Sequence, residues 1–279
     1  LGLIGGSFAA ALKAAKSVGE VVGYSRSETT LARGLQLGVI DRAETDIAKA
    51  VAGADLVMLA APIGATQPLL EAMKPGLDGR TIVTDAGSVK GNVVEAARQV
   101  FGSVPPWFVP GHPIAGAEKS GVEAANAGLY KHHKVILTPL DTTDASALKL
   151  VSDAWAVTGA EVLLMEVERH DAVLACTSHL PHMLAFSLVD TLAREDENQE
   201  IFRYAAGGFR DFTRIASSDP TMWHDIFVAN RDAVLMALDH FSRGLNDMRT
   251  AVAQQDSQAM LGIMTRAKVA RDHFTKMLA

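Results

Sequence analysis

The chain has 279 residues, of which 48% are hydrophobic, and a formal net charge of −6. This length favours two domains over one, and the acidic balance argues against a nucleic-acid partner because phosphate binding needs a basic face. A single cysteine, Cys176, excludes an internal disulfide framework and fits a reducing compartment, so we expect a cytoplasmic protein.

The chain opens with a glycine-rich turn. Gly2 and Gly5 have the spacing of the last two glycines of the dinucleotide-binding pattern G-x-G-x-x-G, and we expect the first glycine just before Leu1. The alanine-rich helix that follows is expected to end at Gly19. Such glycines let a pyrophosphate lie on the free amides of the helix, although small residues also allow plain helix–strand packing. The predicted phosphate site comprises Gly2, Leu3, Ile4 and Gly5.

Residues 20–24 predict the second strand of this fold, which ends at Ser25 and Arg26. A site that prefers NAD usually has Asp or Glu here to bind the ribose hydroxyls, whereas an arginine accommodates the extra phosphate of NADP. Ser25 and Arg26 therefore predict NADP as the preferred cofactor, with NAD possible. A solvated turn with an exposed arginine is the alternative.

Further strands are predicted where short apolar runs alternate with helical segments, at residues 55–62, 81–85, 107–109, 134–139 and 161–165. Runs that are apolar along their whole length are typical of parallel strands covered by helices on both faces. The sequence thus predicts an α/β Rossmann-like domain with a doubly wound parallel sheet. Its ligand crevice lies beyond the carboxyl ends of the strands, where we place Ala61, Pro62, Ile63, Ser88 and His112.

A histidine between a glycine and a proline follows the apolar run at 107–109. We expect His112 to lie in a loop at the end of a strand, where binding and catalytic residues are common. Pro113 disfavours helical geometry at His112, and the glycines at 111, 116 and 121 let backbone approach a ligand. His112 is therefore the first candidate for catalysis, and a loop histidine exposed to water is the alternative.

A helical domain is predicted after a boundary near Val167, which separates a dinucleotide-binding domain, residues 1–167, from residues 168–279. Helical patterns cover residues 172–192, 222–245 and 251–278, with a glycine-rich interruption at Gly207 and Gly208. The first pattern is apolar on nearly every face, and its polar residues favour a buried helix over a membrane span. Because such a helix needs cover on all sides, we expect a homodimer through the helical domain.

Two histidines, His179 and His182, lie three residues apart on one helical face. No acidic or cysteine partner stands in register with them, so no metal site is expected. We expect one of the pair to be buried and hydrogen-bonded, and His182 to face the crevice.

Three arginines lie within residues 203–214 of this acidic chain. Guanidinium groups bind carboxylates with two parallel hydrogen bonds, which suits an anionic small-molecule substrate. Arg210 and Arg214 share a face if the segment is helical, and Asp211 is placed to pair with one of them. A set of weak surface salt bridges is the alternative.

Four motifs together resemble the prephenate dehydrogenase family of tyrosine biosynthesis. They are residues 85–90, residues 111–121, residues 178–182, and residues 207–214 followed by Ser218-Asp219-Pro220. The resemblance implies a Rossmann-like domain followed by an all-helical dimerisation domain. It also implies oxidative decarboxylation of prephenate to 4-hydroxyphenylpyruvate, or of arogenate to tyrosine, with hydride transfer to NAD(P).

The resemblance also implies roles for individual residues. His112 takes the proton of the substrate's ring hydroxyl as hydride leaves, and Ser88 orients that histidine and contacts the nicotinamide end. Arg214 binds the substrate carboxylate, with His182 as a second polar contact and Asp211 as a gate beside Arg210. Many family members carry an acidic residue where this chain has Ser25-Arg26, which favours NADP here.

Two other classes remain open on the sequence. Another two-domain NADP-dependent hydroxy-acid dehydrogenase would use a catalytic lysine, and no lysine is singled out over His112. A non-catalytic nicotinamide sensor would need only the first domain and no arginines directed into the crevice.

Overall fold

The computed structural model describes residues 1–117, 119–195 and 198–278, so Glu118 of the 111–121 motif lies outside the described residues. The chain packs into two compact units, Leu1–Arg231 and Asp232–Ala279.

The first part of the chain alternates strands and helices, as predicted. The elements are α1 (Leu3–Ala14), β1 (Val22–Tyr24), α2 (Glu28–Gln36), β2 (Arg42–Glu44), α3 (Ile47–Val51), β3 (Leu56–Leu59), α4 (Thr66–Met73), β4 (Ile82–Asp85), α5 (Lys90–Phe101), β5 (Phe108–Val109), β6 (Gly111–Ile114), β7 (Lys134–Leu137), α6 (Ala145–Ala156) and β8 (Glu161–Leu164).

Most of the strand pairs are parallel. β1 pairs with β2, and β3, β4 and β5 are hydrogen-bonded in that order, all in parallel. In the remaining group, β7 pairs with β8 in parallel and with β6 antiparallel. The parallel ladders and the helices between them are those of the predicted α/β nucleotide-binding domain.

Helix α1 is shorter than predicted. It ends at Ala14, and Lys16 then adopts a left-handed φ of 55°, so the prediction that Gly19 ends this helix is wrong. At its other end the helix includes Gly5, where an added Cβ would lie 3.0 Å from the Cβ of Ala60. The absence of a side chain at Gly5 therefore lets the helix pack closely against the end of β3.

His112 lies in a strand, not in the predicted loop. Pro110 separates β5 from β6, and His112 pairs with Ile136 across the antiparallel ladder. An added Cβ on Gly111 would lie 2.9 Å from the Leu137 side chain and 3.1 Å from the Asp85 carbonyl oxygen. Gly111 is thus required by internal packing, which corrects the expectation that it admits a ligand.

The helical elements that follow are α7 (Val167–Leu174), a π-helical turn (Ala175–His179), α8 (Leu180–Ala193), α9 (Asn198–Arg203), α10 (Gly207–Thr213), a 3₁₀ turn (Arg214–Ser217), α11 (Pro220–Ala229), α12 (Arg231–Ala253) and α13 (Ser257–Leu278). Within the described ranges no strand follows β8, as expected. Gly207 is the first residue of α10, whereas a glycine-rich interruption was predicted there. The predicted helix 222–245 is two helices, with a break at Asn230.

The stretch Val167–Ala193 is long and apolar enough to cross a membrane, by length and composition only. Little of it is covered within this chain, and Ala185 is the buried residue of α8. The expectation of a fully covered helix is therefore not met by this chain's own described residues.

One hydrophobic core connects the sheet to a later helix. Trp223 and Ile226 of α11 pack in the same cluster as Ile63, which follows β3, and Val83 of β4. This contact brings α11 against the carboxyl end of β3, where the crevice was predicted.

Candidate active site

The turn that opens α1 fits a dinucleotide phosphate. The first helical hydrogen bond runs from the Gly6 amide to the Gly2 carbonyl, 2.8 Å, so the amides of Leu3, Ile4 and Gly5 precede the helical ladder. No acidic side chain lies in the first turn, and an added Cβ on Gly2 would meet no protein atom within 4 Å. Free amides, open space and the positive helix end are what a pyrophosphate requires.

The loop after β1 carries a cation, and a hydrogen bond from the Leu1 nitrogen to the Tyr24 carbonyl, 2.8 Å, joins the end of β1 to the residue before the glycine turn. The Ser25 hydroxyl accepts a hydrogen bond from the Ser27 amide, 3.2 Å, and Ser27 caps α2 through the Thr30 amide. Arg26 is exposed between them, and we find no hydrogen bond or ion pair to it among the described residues. Its guanidinium is thus available to an anionic ligand.

A buried ion pair holds the backbone next to His112. Lys90 and Asp85 are almost completely buried and pair with each other. The Asp85 carboxylate also accepts from the Gly111 amide, 3.0 Å, and the Lys90 ammonium donates to the Gly111 carbonyl, 2.6 Å. Both polar groups of Gly111 are therefore fixed by charged partners, which anchors β6 at the residue before His112. This burial also leaves Lys90 poorly placed for the catalytic-lysine alternative.

The ring of His112 is held by a second histidine. Its Nδ1 lies 2.9 Å from Nε2 of His170, and Nδ1 of His170 lies 2.8 Å from the Asp171 carboxylate. Burial, followed by the positive charge of Lys90, holds the pKa of His112 well below its usual value of 6.5. The imidazole is therefore neutral near pH 7, the state that a general base needs.

A second cluster lies where α8, the π-helical turn and α11 meet. The His182 ring stacks on Trp223, with centroids 3.6 Å apart and planes 20° apart. His179 is buried and accepts from the Asn230 amide, 3.1 Å, which confirms the expectation of one buried, hydrogen-bonded histidine. Burial lowers the pKa of His179 to about 4.

Neighbouring contacts connect the two clusters. The Asn230 side-chain amide lies between them, 2.9 Å from the Asp171 carbonyl and 3.1 Å from Nδ1 of His179. His179 in turn lies 6.0 Å from Trp223, ring centre to ring centre. Burial lowers the pKa of His182. The hydrogen bond that its ring donates to the Ser178 carbonyl raises the pKa, and the positive charge of Arg214 lowers it further. The 3₁₀ turn that begins at Arg214 packs against α8, which carries His182, and His112 belongs to the same compact unit.

Other predicted site residues have no contact that defines a role. Ser88 is half-buried in the loop between β4 and α5, and the described contact that orients the His112 ring comes from His170. Arg210 and Asp211 are exposed on α10. Ala61, Pro62 and Ile63 follow β3, beside the residue that packs on Gly5.

Sequence reasoning missed His170, Asp171, Asn230 and Trp223. Asp85 and Lys90 lie in the motif at residues 85–90, but their spacing does not reveal that they bind the peptide group of Gly111. His170 and Asp171 are adjacent in a stretch interpreted as a domain border, where a His-Asp pair was the available signal. The Trp223 indole N–H is buried and has no hydrogen-bond partner in the part of the chain that the structure describes.

Two family models match this chain. The model described as the prephenate dehydrogenase nucleotide-binding domain matches residues 8–164, and the model described as the prephenate dehydrogenase dimerization domain matches residues 166–266. The chain is 41% identical over 274 residues to the cyclohexadienyl dehydrogenase of Zymomonas mobilis, covering 97% of this chain and 92% of that protein.

Solved structures of prephenate and arogenate dehydrogenases are similar to this chain. Prephenate dehydrogenase from Aquifex aeolicus, in complex with hydroxyphenyl propionate and NAD+, superposes with a TM-score of 0.92 at 39% identity, covering 98% of this chain and 95% of that one. Arogenate dehydrogenase from Synechocystis superposes with a TM-score of 0.84 at 28% identity, covering 98% and 97% of the two chains.

Proposed function

The chain belongs to the prephenate dehydrogenase family, and on that premise we propose that it catalyses oxidative decarboxylation of prephenate or arogenate in tyrosine biosynthesis. Hydride passes to NAD(P). The observation that carries this proposal is the placement of His112, whose backbone is anchored through Gly111 and whose ring is held by His170. Burial lowers the pKa of His112, which favours the neutral base. The 41% identity to a cyclohexadienyl dehydrogenase, over nearly the full length of both chains, supports the substrate class.

In the proposed reaction, His112 removes the proton of the ring hydroxyl. A bound nicotinamide supplies the hydride acceptor, and the amides of Leu3, Ile4 and Gly5 with the loop at Ala61, Pro62 and Ile63 would hold its dinucleotide. Loss of carbon dioxide needs little further assistance because it makes the ring aromatic. The main task of the protein is to align the ring hydroxyl with His112.

The substrate carboxylate is assigned to Arg214, with His182 as a second polar contact. The packing of the turn that begins at Arg214 against α8, which carries His182, supports this assignment. Arg210 and Asp211 are assigned to the entrance on α10, and Ser88 to the nicotinamide end of His112.

NADP is the proposed preferred cofactor, with NAD as the alternative that a relative's structure contains. The support is local: Arg26 is exposed after β1, and the acidic residue expected of an NAD site is replaced there by Ser25.

The assembly proposed is a cytoplasmic homodimer formed through the helical domain, with the domain boundary just after Val167. The partly buried apolar residues of α8 and the description of the family's second domain as a dimerization domain support it. The proposed ligand is a small molecule, because the acidic balance of the chain argues against nucleic acid.

Absorbance at 340 nm tests the function. The purified protein is mixed with prephenate or arogenate and with NADP+ or NAD+, and a panel of hydroxy acids serves as control. We expect reduced cofactor only with a cyclohexadienyl substrate, at higher kcat/KM with NADP+. Absence of signal with both cyclohexadienyl compounds would contradict the function, and preference for NAD+ would contradict the cofactor assignment alone.

A further inference from the structure

His112, His170 and Asp171 form a series of hydrogen bonds that runs from the site into the core. The first link joins Nδ1 of His112 to Nε2 of His170, 2.9 Å, and the second joins Nδ1 of His170 to Oδ1 of Asp171, 2.8 Å. His170 is completely buried and Asp171 is only 9% exposed. The function proposed above uses the first of these residues and assigns nothing to the other two.

The carboxylate at the end of the series is rigidly placed. Oδ1 of Asp171 accepts from the Lys90 amide and Oδ2 accepts from the Gly91 amide, both at 2.8 Å, so Asp171 caps the start of α5. Burial acts to raise the pKa of Asp171, but the hydrogen bonds from His170 and these two amides outweigh it and lower the pKa overall. Asp171 is therefore ionised near pH 7.

The direction of each proton follows from this charge. An ionised carboxylate only accepts hydrogen bonds, so Nδ1 of His170 is the donor. When this is the single proton on His170, its Nε2 is an acceptor, and Nδ1 of His112 must carry the proton that fills the link between the rings. The remaining nitrogen of His112, Nε2, is left with a free lone pair.

We infer that His170 and Asp171 are positioning residues that hold His112 in the tautomer whose Nε2 accepts the proton of the substrate. This inference rests on the proposed function, because it concerns how the base of that reaction is prepared. When Nε2 takes the proton, the Nδ1–H bond of His112 still points to His170. The negative charge of the Asp171 carboxylate then stabilises the new positive charge on His112. The proton moves from the substrate oxygen to Nε2, and no other reactant is needed.

The surroundings of His112 make this support necessary. The titratable groups that face it are Lys90 from α5, His170 from α7 and His179 from the π-helical turn. Lys90 is the charged member of this set and acts against a positive charge on His112, although Asp85 is paired with Lys90. A carboxylate reached through His170 supplies the compensating negative charge.

The test compares His170→Phe with a matched surface variant, His133→Gln, because the exposed His133 ring is hydrogen-bonded to the nearby Lys131 carbonyl. We expect His170→Phe to lower kcat at least about 10-fold with KM for substrate and cofactor within about threefold, because a misoriented tautomer affects the proton step more than binding. His133→Gln should retain wild-type kcat. Wild-type kcat in His170→Phe would overturn the inference.

A second readout does not depend on turnover or on the variant. The ¹⁵N chemical shifts of His112 in the wild-type protein distinguish the two tautomers, and we expect a protonated Nδ1 and an unprotonated Nε2. A protonated Nε2 in the neutral ring would overturn the inference even if prephenate is the substrate. Conversely, absence of turnover with either cyclohexadienyl compound would end the proposed function, and the tautomer measurement would still decide this one.

Discussion

Two separate restraints fix His112, one on its backbone and one on its ring. Asp85 and Lys90 hold the two polar groups of Gly111, and His170 holds the ring nitrogen Nδ1. The first restraint depends on a buried ion pair whose two charges also bind the peptide group of Gly111, and Asp85 accepts from the Gly87 amide as well. A base held in this way loses little entropy when substrate arrives.

The low pKa of His112 predicts the pH dependence of catalysis. Because the folded-state pKa lies below 6.5, the neutral base persists as pH falls through 6.5 and is lost only when pH passes the lowered value. We expect the acid limb of the kcat/KM profile to lie below pH 6.5, measured from about pH 5 to 8. An acid limb centred at or above pH 6.5 would contradict the assignment of the limb to this buried imidazole.

Arg214 is the residue whose loss should separate binding from chemistry. Arg214→Ala removes the guanidinium beside His182, and we expect KM for the cyclohexadienyl substrate to rise roughly 10-fold or more while KM for cofactor is retained. The matched control is Arg194→Ala, since Arg194 forms an exposed ion pair with Asp190. Equal KM values for substrate in the two variants would show that Arg214 does not bind the carboxylate.

At the scale of elements, β6 is the segment that brings the base to the sheet. Its first residue packs without a side chain against Leu137 and Asp85, so the strand cannot approach β7 closely if a methyl group is added. The position of His112 opposite Ile136 therefore depends on the glycine before it.

Gly111→Ala tests this dependence. We expect a loss of about 1–3 kcal/mol in the free energy of unfolding, measured by urea denaturation, together with a lower kcat, because overpacking shifts β6. Gly116→Ala is the control, since an added Cβ there would meet no protein atom within 4 Å. If both variants unfold at the same urea concentration as the wild type, the close packing around Gly111 does not fix the position of β6.

The elements that the sequence predicted are those with a strong local signal. The apolar runs at β3, β4 and β7 reveal buried parallel strands, whereas β2 was missed because its residues, Arg42–Glu44, carry charges that pair with each other and with Glu20. β6 was missed because Pro113 lies within it. The bond between His112 and His170 spans 58 positions and leaves no trace in local spacing.

At the scale of the whole molecule, apolar surface remains uncovered within one chain. Ala185 is the buried residue of α8, and several large apolar side chains of the second compact unit are exposed, among them Phe241, Leu245, Leu261, Met264 and Phe274. Exposed apolar side chains of this size favour an interaction site on α12 and α13. A second copy of the chain is the proposed partner.

Light scattering tests the proposed dimer. We expect a solution mass of twice the 29.6 kDa of one chain, independent of concentration over a tenfold dilution series. A mass of one chain throughout the series would mean that the apolar surfaces are not a dimer interface.

In the proposed enzyme His112 removes the substrate proton, and the dinucleotide site forms independently of this residue. The most direct measurement is the turnover of His112→Asn with its preferred cyclohexadienyl substrate, alongside cofactor affinity by fluorescence titration. We predict that kcat falls on the order of 100-fold or more while the cofactor Kd stays within about twofold. Wild-type kcat in His112→Asn would contradict the account.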